Sequence, residues 1–179
     1  MENTFSVLKR EDVSEKNKQI FDQLKKQYGA VPNLYTTLAY SDNALEAYTD
    51  LESAKLSFSP KEVEAINLVV SEVNGCMYCL SAHTLVAKGT GFSEAETIEL
   101  RSGKAGFDPK LEALVALAKE LTKNRGVKDE TILNDFYAAG YTREHVVDLI
   151  LLVGDRTISN ILHAVTKVPI EFPKAKALA

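Results

Sequence analysis

Repeated helix starts and stops limit most strongly what this chain can build. Ser59-Pro60-Lys61-Glu62 reads as a capping box with proline at the first helical position. The serine hydroxyl accepts from the backbone N–H three residues on, the glutamate returns the bond, and proline sits where its missing N–H would have been unpaired anyway. Behind it Val63, Ile66, Val70 and Val73 recur at helical spacing until Asn74-Gly75 breaks the run. A second helix is expected from near Cys76 to Gly89-Thr90-Gly91. Ser93 and Glu96 form another capping box, opening a short helix that stops at Ser102-Gly103. Asp108-Pro109 starts an amphipathic helix with Leu111, Leu114, Val115, Leu117, Ala118 and Leu121 on one side, closed by Gly126. The stretch 129–139 reads as a short helix ended by Gly140. Thr142 caps the longest one, which runs to about Lys167, before Pro169. Upstream, 14–28 and 33–56 are helical in pattern, the latter broken near Ser41-Asp42. No segment alternates polar and apolar between hairpin signals, so the predicted fold class is all-α.

A length of 179 residues suits one domain, or one domain with an arm. The expected division is a helical arm over 1–30, a helical domain over 31–173 and a tail over 174–179. The closing residues "IEFPKAKALA" read as extended. With a net charge of −4 there is no basic excess to attract nucleic acid or an anionic membrane surface, and neither partner is expected. Apolar runs such as "LILLVG" at 149–154 are too short to cross a bilayer. The opening "MENTFSVLKREDVSEK" lacks a basic start followed by an apolar stretch, so a cytoplasmic location is expected. A faint echo links "SPKEVEAINLVVSEVNGCMYC" to "TREHVVDLILLVGDRTISNIL": each has a cap, an apolar pattern and a polar break. An old duplication and shared helix grammar explain it equally well.

The chain's two cysteines both lie in "NGCMYCLSAH", 74–83. In a reducing compartment such a pair points to redox or metal chemistry rather than to a structural staple. Residues i and i+3 share a helix face, so Cys76 and Cys79 can form a disulfide with little backbone movement. The Gly75 break puts Cys76 at the helix start, the exposed end, where free N–H groups and the helix dipole stabilise a thiolate. His83 lies one turn beyond Cys79, where it can accept the thiol proton or hold the thiolate by charge. A sulfenic acid formed on one sulfur would then be resolved by the other. Three duller readings stand beside this one: a buried inert pair, a zinc site of Cys76, Cys79, His83 and a carboxylate, and a merely packed His83. His145 is expected to be exposed and His163 packed. Glu64 reads by itself as a solvated carboxylate near a helix start.

Glu64, then "CMYC", then His83 resembles the E-x₁₁-C-x-x-C-x₃-H pattern of the AhpD-like members of the carboxymuconolactone decarboxylase family. The stretches "VPNLYTTLAYSDNALEAY" and "LSFSPKEVEAINLVVSEVNGCMYCLSAHTLVAKGTGFS" are similar to the family's uncharacterised peroxidase-related branch. The match is tight over 31–91 and looser, at the level of helix order, out to Pro173. Tyr78 stands where AhpD itself has a histidine between its cysteines, which fits the peroxidase-related branch.

The resemblance implies an AhpD-like helical bundle and a thiol-dependent peroxidase acting on organic hydroperoxides. It implies that Cys79 reacts with peroxide, that Cys76 resolves it, and that Glu64 and His83 relay protons. His83 on the Cys79 face agrees with that order. If Glu64 is brought to the cysteines, burial should raise its pKa. The resemblance further implies a dithiol electron donor, such as a lipoyl protein or a peroxiredoxin. No cofactor or metal is expected. Two rivals remain: the family's lactone decarboxylase chemistry, which does not need two cysteines, and a non-enzymatic thiol sensor or zinc-binding protein. Finally, 142–167 carries apolar residues around most of its circumference, so it must be covered on most sides. A homo-oligomer is therefore expected, and the resemblance suggests a trimer or hexamer.

Overall fold

Serine, aspartate and proline start the helices where the sequence reading places them. The structure, a computed structural model, describes residues 5–178. Among these, after a 3-10 turn at Arg10–Asp12, the helices are α1 (Glu15–Tyr28), α2 (Asn33–Leu38), α3 (Ala44–Glu52), α4 (Pro60–Val73), α5 (Met77–Gly89), α6 (Glu94–Arg101), α7 (Pro109–Asn124), α8 (Glu130–Ala138) and α9 (Arg143–Thr166). No strand occurs among the described residues. Both expected capping boxes close: Ser59 with Glu62 at α4, and Ser93 with Glu96 at α6. Two stops differ from expectation. α3 ends at Glu52, four residues early, and the left-handed residue that ends α7 is Arg125 (φ 57°), not Gly126. The echo fails as well, because α9 runs unbroken through Gly154 while its counterpart stops at Asn74-Gly75.

The chain divides into two compact units. One takes residues up to Lys55 together with Leu162–Glu171. Phe21, Leu24, Leu38, Leu45 and Tyr48 form its core. The Asn33 N–H donates to the Glu171 carboxylate and the Asn33 side chain to the Pro169 carbonyl, tying α2 to the later segment. The other unit takes Leu56–Ile161 and the segment from Phe172 onward.

In this second unit α4 is the central helix. Every residue from Glu64 to Ser71 is buried, polar ones included, with α5, α6 and α7 packed around it. Ile66, Val69, Leu100, Leu114, Leu117 and Phe136 fill the core. The extended segment after Phe172 lies against α5 and α6. The Ala175 N–H donates to Ser81 Oγ, Arg101 donates to the Lys176 carbonyl, and the Phe172 ring meets Tyr78 edge-on.

Within its unit α4 is the helix covered on most sides, while α9, expected to need cover from a second copy, keeps one apolar face exposed. Leu149 and Leu152 of α9 join the core, while Val147, Leu151, Gly154, Ile158 and Ile161 are exposed. These five follow one another at steps of four, three, four and three, the spacing of a helix-pairing seam. By length and composition α9 also passes as a membrane span, which counting uninterrupted apolar runs had missed. The core helix of a soluble protein passes the same test, and α9 carries buried Asp155, Arg156, Ser159 and Asn160, polar groups that hydrocarbon could not satisfy. We propose that a second copy of this chain covers the seam, because heptad spacing suits self-pairing. Sedimentation at micromolar concentration should show an oligomer. Ile158→Asp should shift it to monomer with helix content intact, and a monomeric wild type would refute the seam.

Candidate active site

Backbone geometry sets the two sulfurs. Gly75 takes φ +67°, a left-handed conformation that glycine adopts without strain, and the chain reverses from α4 into α5. The Cys76 N–H then donates back to the Ser71 carbonyl at 2.9 Å. Cys76 becomes the N-cap of α5, its sulfur accepting from the Cys79 N–H at 3.4 Å, the part an N-cap serine hydroxyl plays elsewhere in this chain. Both cysteines are free, with sulfurs 2.7 Å apart and the Cys76 thiol donating to Cys79. Cys76 is 4% exposed and Cys79 1%. Cys76 is thus buried, contrary to the expected exposed helix end.

Glu64 comes to the cysteines from α4. Its carboxylate pairs with His83 Nδ1 at 2.8 Å and accepts from Asn67 Nδ2 at 3.1 Å. This gives α4 a polar stripe, Glu64, Asn67, Ser71 and Asn74, at steps of three, four and three inside an otherwise apolar helix. α9 answers it with Arg156, Ser159 and Asn160. Arg156 Nε donates to Asn67 Oδ1 at 3.1 Å, Asn160 donates to Ser71 Oγ at 3.4 Å, and Asn74 donates to Asn160 Oδ1 at 2.9 Å. Arg156 also donates to Ser159 Oγ at 3.2 Å and to Asp155 Oδ2 at 3.3 Å. Ser159 Oγ lies 3.9 Å from Cys79 Sγ.

The direction of the sulfur–sulfur hydrogen bond separates the two thiols. Accepting from Cys76 pulls the Cys79 thiol down to about 6. Burial opposes this, while the charges of Arg156 and His83 and a bond to Asn160 add to it. Donating that bond, together with burial, pushes Cys76 far above the ordinary thiol range. Burial pushes Glu64 up too, but the charge and hydrogen bond of His83, with Asn67 and Arg156, outweigh it and hold the carboxyl below its ordinary value. The expected upward shift of Glu64 is therefore reversed, because burial comes with partners. Glu64 is an ionised anchor for His83.

All four expected residues, Glu64, Cys76, Cys79 and His83, meet in one buried cluster. His145 lies outside it. It is half-buried between the Phe58 and Tyr141 rings, with Nδ1 bonded to Thr142, rather than exposed. His163 is packed, its Nε2 bonded to the Val168 carbonyl. Sequence reasoning missed Asn67, Arg156, Ser159 and Asn160. The available signal was the periodicity of polar residues within apolar helices. Among the described residues no group of three or more His, Cys, Asp or Glu side chains is arranged to hold a metal ion.

Alkylation of the reduced protein should report the asymmetry. Iodoacetamide should modify Cys79 with a midpoint near pH 6, the rate falling about tenfold per unit below it as the thiolate is lost, and should leave Cys76 slow to pH 9. Peptide mapping that found Cys76 modified first would reverse the assignment. Gly75→Ala, strained at a positive φ, should cost about 1 kcal/mol in urea unfolding.

Residues 42–120, which contain Glu64, both cysteines and His83, match the model of the Carboxymuconolactone decarboxylase family. No curated protein matches the chain. Among solved structures, the fold is similar to the alkylhydroperoxidase AhpD core of an uncharacterized peroxidase-related protein from Ralstonia eutropha JMP134. The TM-score is 0.80 at 20% identity, over 90% of this chain and 88% of that one. A peroxidase-related protein from Silicibacter sp. TM1040 gives 0.79 at 23% identity, over 93% and 91%. The debrominase Bmp8, in complex with 2,3,4-tribromopyrrole, gives 0.77 at 19%, over 95% and 93%. At these identities the likeness is one of fold. The matched segment is thus similar to the carboxymuconolactone decarboxylase family, and the all-helical architecture around it shares the fold of AhpD-like structures.

Proposed function

We propose that the protein is a thiol peroxidase and disulfide oxidoreductase that reduces organic hydroperoxides through Cys79 and Cys76. The observation that carries this is the reduced sulfur pair, 2.7 Å apart, with one thiol donating to the other. The Cys79 thiolate attacks the terminal peroxide oxygen. The O–O bond breaks, Cys79 becomes a sulfenic acid, and the alkoxide leaves as alcohol with a proton from the His83 imidazolium. Cys76 passes its proton to the now neutral His83 and attacks Cys79. The S–O bond breaks, hydroxide leaves as water with that proton, and a disulfide remains. A dithiol donor, a lipoyl protein or a peroxiredoxin, returns two electrons and two protons. The setting is the cytoplasm, with neither nucleic acid nor membrane as partner.

Burial of both sulfurs supports a small hydroperoxide. A donor reaches the disulfide only when the α5 start opens. The test is peroxide consumption with a panel of dithiol donors. Mild peroxide should remove both free thiols without covalent dimers. Cys76→Ser should trap a sulfenic acid at Cys79, and Cys79→Ser should abolish turnover. His83→Ala should move the pH dependence upward. Carbon dioxide release from a carboxylated lactone that survives in Cys79→Ser would favour the lactone decarboxylase class. Thiols still titratable after peroxide would favour the zinc or inert reading. The fold shared with Bmp8 favours one further reading, in which the same two electrons reduce a carbon–bromine bond to carbon–hydrogen. Bromide released from 2,3,4-tribromopyrrole without peroxide consumption would select it.

A further inference from the structure

We propose that Arg156 is a positioning residue for the thiol reaction, holding the Cys79 thiolate and the Glu64–His83 pair in one charge-balanced network. This deepens the reading of Cys79 as the reactive thiol. On one side Ser159 Oγ accepts from Arg156 at 3.2 Å and from the Cys79 thiol at 3.9 Å, and gives its own proton to the Arg156 carbonyl at 2.9 Å, so Arg156 fixes the hydroxyl beside the sulfur. On the other, a chain of bonds runs through Asn67 to Glu64, at 3.1 Å for each link, and on to His83 at 2.8 Å. The orientation of Asn67 is forced. Arg156 can only donate and an ionised Glu64 can only accept, so the linking side chain needs an acceptor on one side and a donor on the other. Asparagine has both within one planar group. Aspartate there would face Glu64 with like charge, and leucine would cut the link.

Charge counting gives the role its weight. The ionisable groups of the cluster are Glu64 on α4, Cys76, Cys79 and His83 around α5, and Asp155 and Arg156 on α9. Arg156 is 6% exposed, and Asp155 is buried with Oδ1 lacking a hydrogen-bond partner among the described residues. Arg156 sets a permanent positive charge against the two carboxylates. Without it, a thiolate adds a third negative charge to the buried site with no arginine to offset it, and the Cys79 proton should then stay on. Arg156 acts on the sulfur through the placement of Ser159 and through its charge, so it is a positioning residue.

The test is the pH profile of Cys79 alkylation in a Cys76→Ser background, with helix content followed in parallel. Arg156→Met should move the midpoint up by about one pH unit, a roughly tenfold loss of thiolate at fixed low pH. Arg156→Lys, which keeps the charge and loses the fork, should recover more than half of that shift. Ser159→Ala, a small change expected to fold, should move it in the same direction by less. Should Arg156→Met fail to fold, the lysine and alanine variants decide alone. An unmoved midpoint in all folded variants overturns the proposal, as does lysine behaving no better than methionine. Peroxide turnover is read separately. A wild type whose Cys79 alkylates near pH 6 but consumes no peroxide refutes the peroxidase function and leaves the role of Arg156 standing.

Discussion

A charge inside a helical bundle must be answered by another charge, and that constraint shapes the middle of this protein. Glu64 sits among apolar residues on the most deeply buried helix. Left alone it would take up a proton or pull the helix toward water. His83 answers it directly, and Asn67 connects it to Arg156. The polar stripe of α4 therefore has to meet the polar stripe of α9 in a single register. Sliding α9 by one turn would leave Asn67, Ser71 and Asn74 opposite the wrong partners. The apolar core drives collapse, and the polar links choose one arrangement within it.

The same constraint explains the difference between the cysteines. Both are buried, so exposure does not distinguish them. What does is which sulfur keeps its proton. Cys76, as N-cap, spends its lone pair on a backbone N–H and its proton on Cys79. Cys79 receives that proton's hydrogen bond and sits near His83 of α5 and the arginine of α9. A CxxC at a helix start is usually read with its first cysteine as the reactive one. Here the neighbours lower the second thiol and raise the first.

Helix boundaries were legible because caps are local. Ser59, Ser93 and Asp108 form their bonds within three residues, and nothing distant overrides them. The four central residues were legible through spacing and resemblance together. Glu64 by itself read as a surface carboxylate, since its burial depends on a histidine 19 positions away. Arg156, Ser159 and Asn160 were not legible, because their partners on α4 lie close to ninety positions upstream. The apolar circumference of α9 says how much surface wants cover, not which neighbour provides it, and within its unit α4 takes the centre with a mixed polar and apolar surface.

The distance along the chain between the thiols and their cover has a consequence for biosynthesis. Ser159 follows Cys79 by 80 residues, and the extended segment that bonds Ser81 follows later still. At about 5–20 residues per second, a ribosome needs on the order of 4–16 s to make that interval. During those seconds Cys76 and Cys79 exist without Arg156 and without the strand-like cover from Ala175. The growing chain therefore carries an ordinary, accessible dithiol. The tuned pair arises only when α9 docks, so the thiol chemistry of the finished protein begins with one of the last steps of folding.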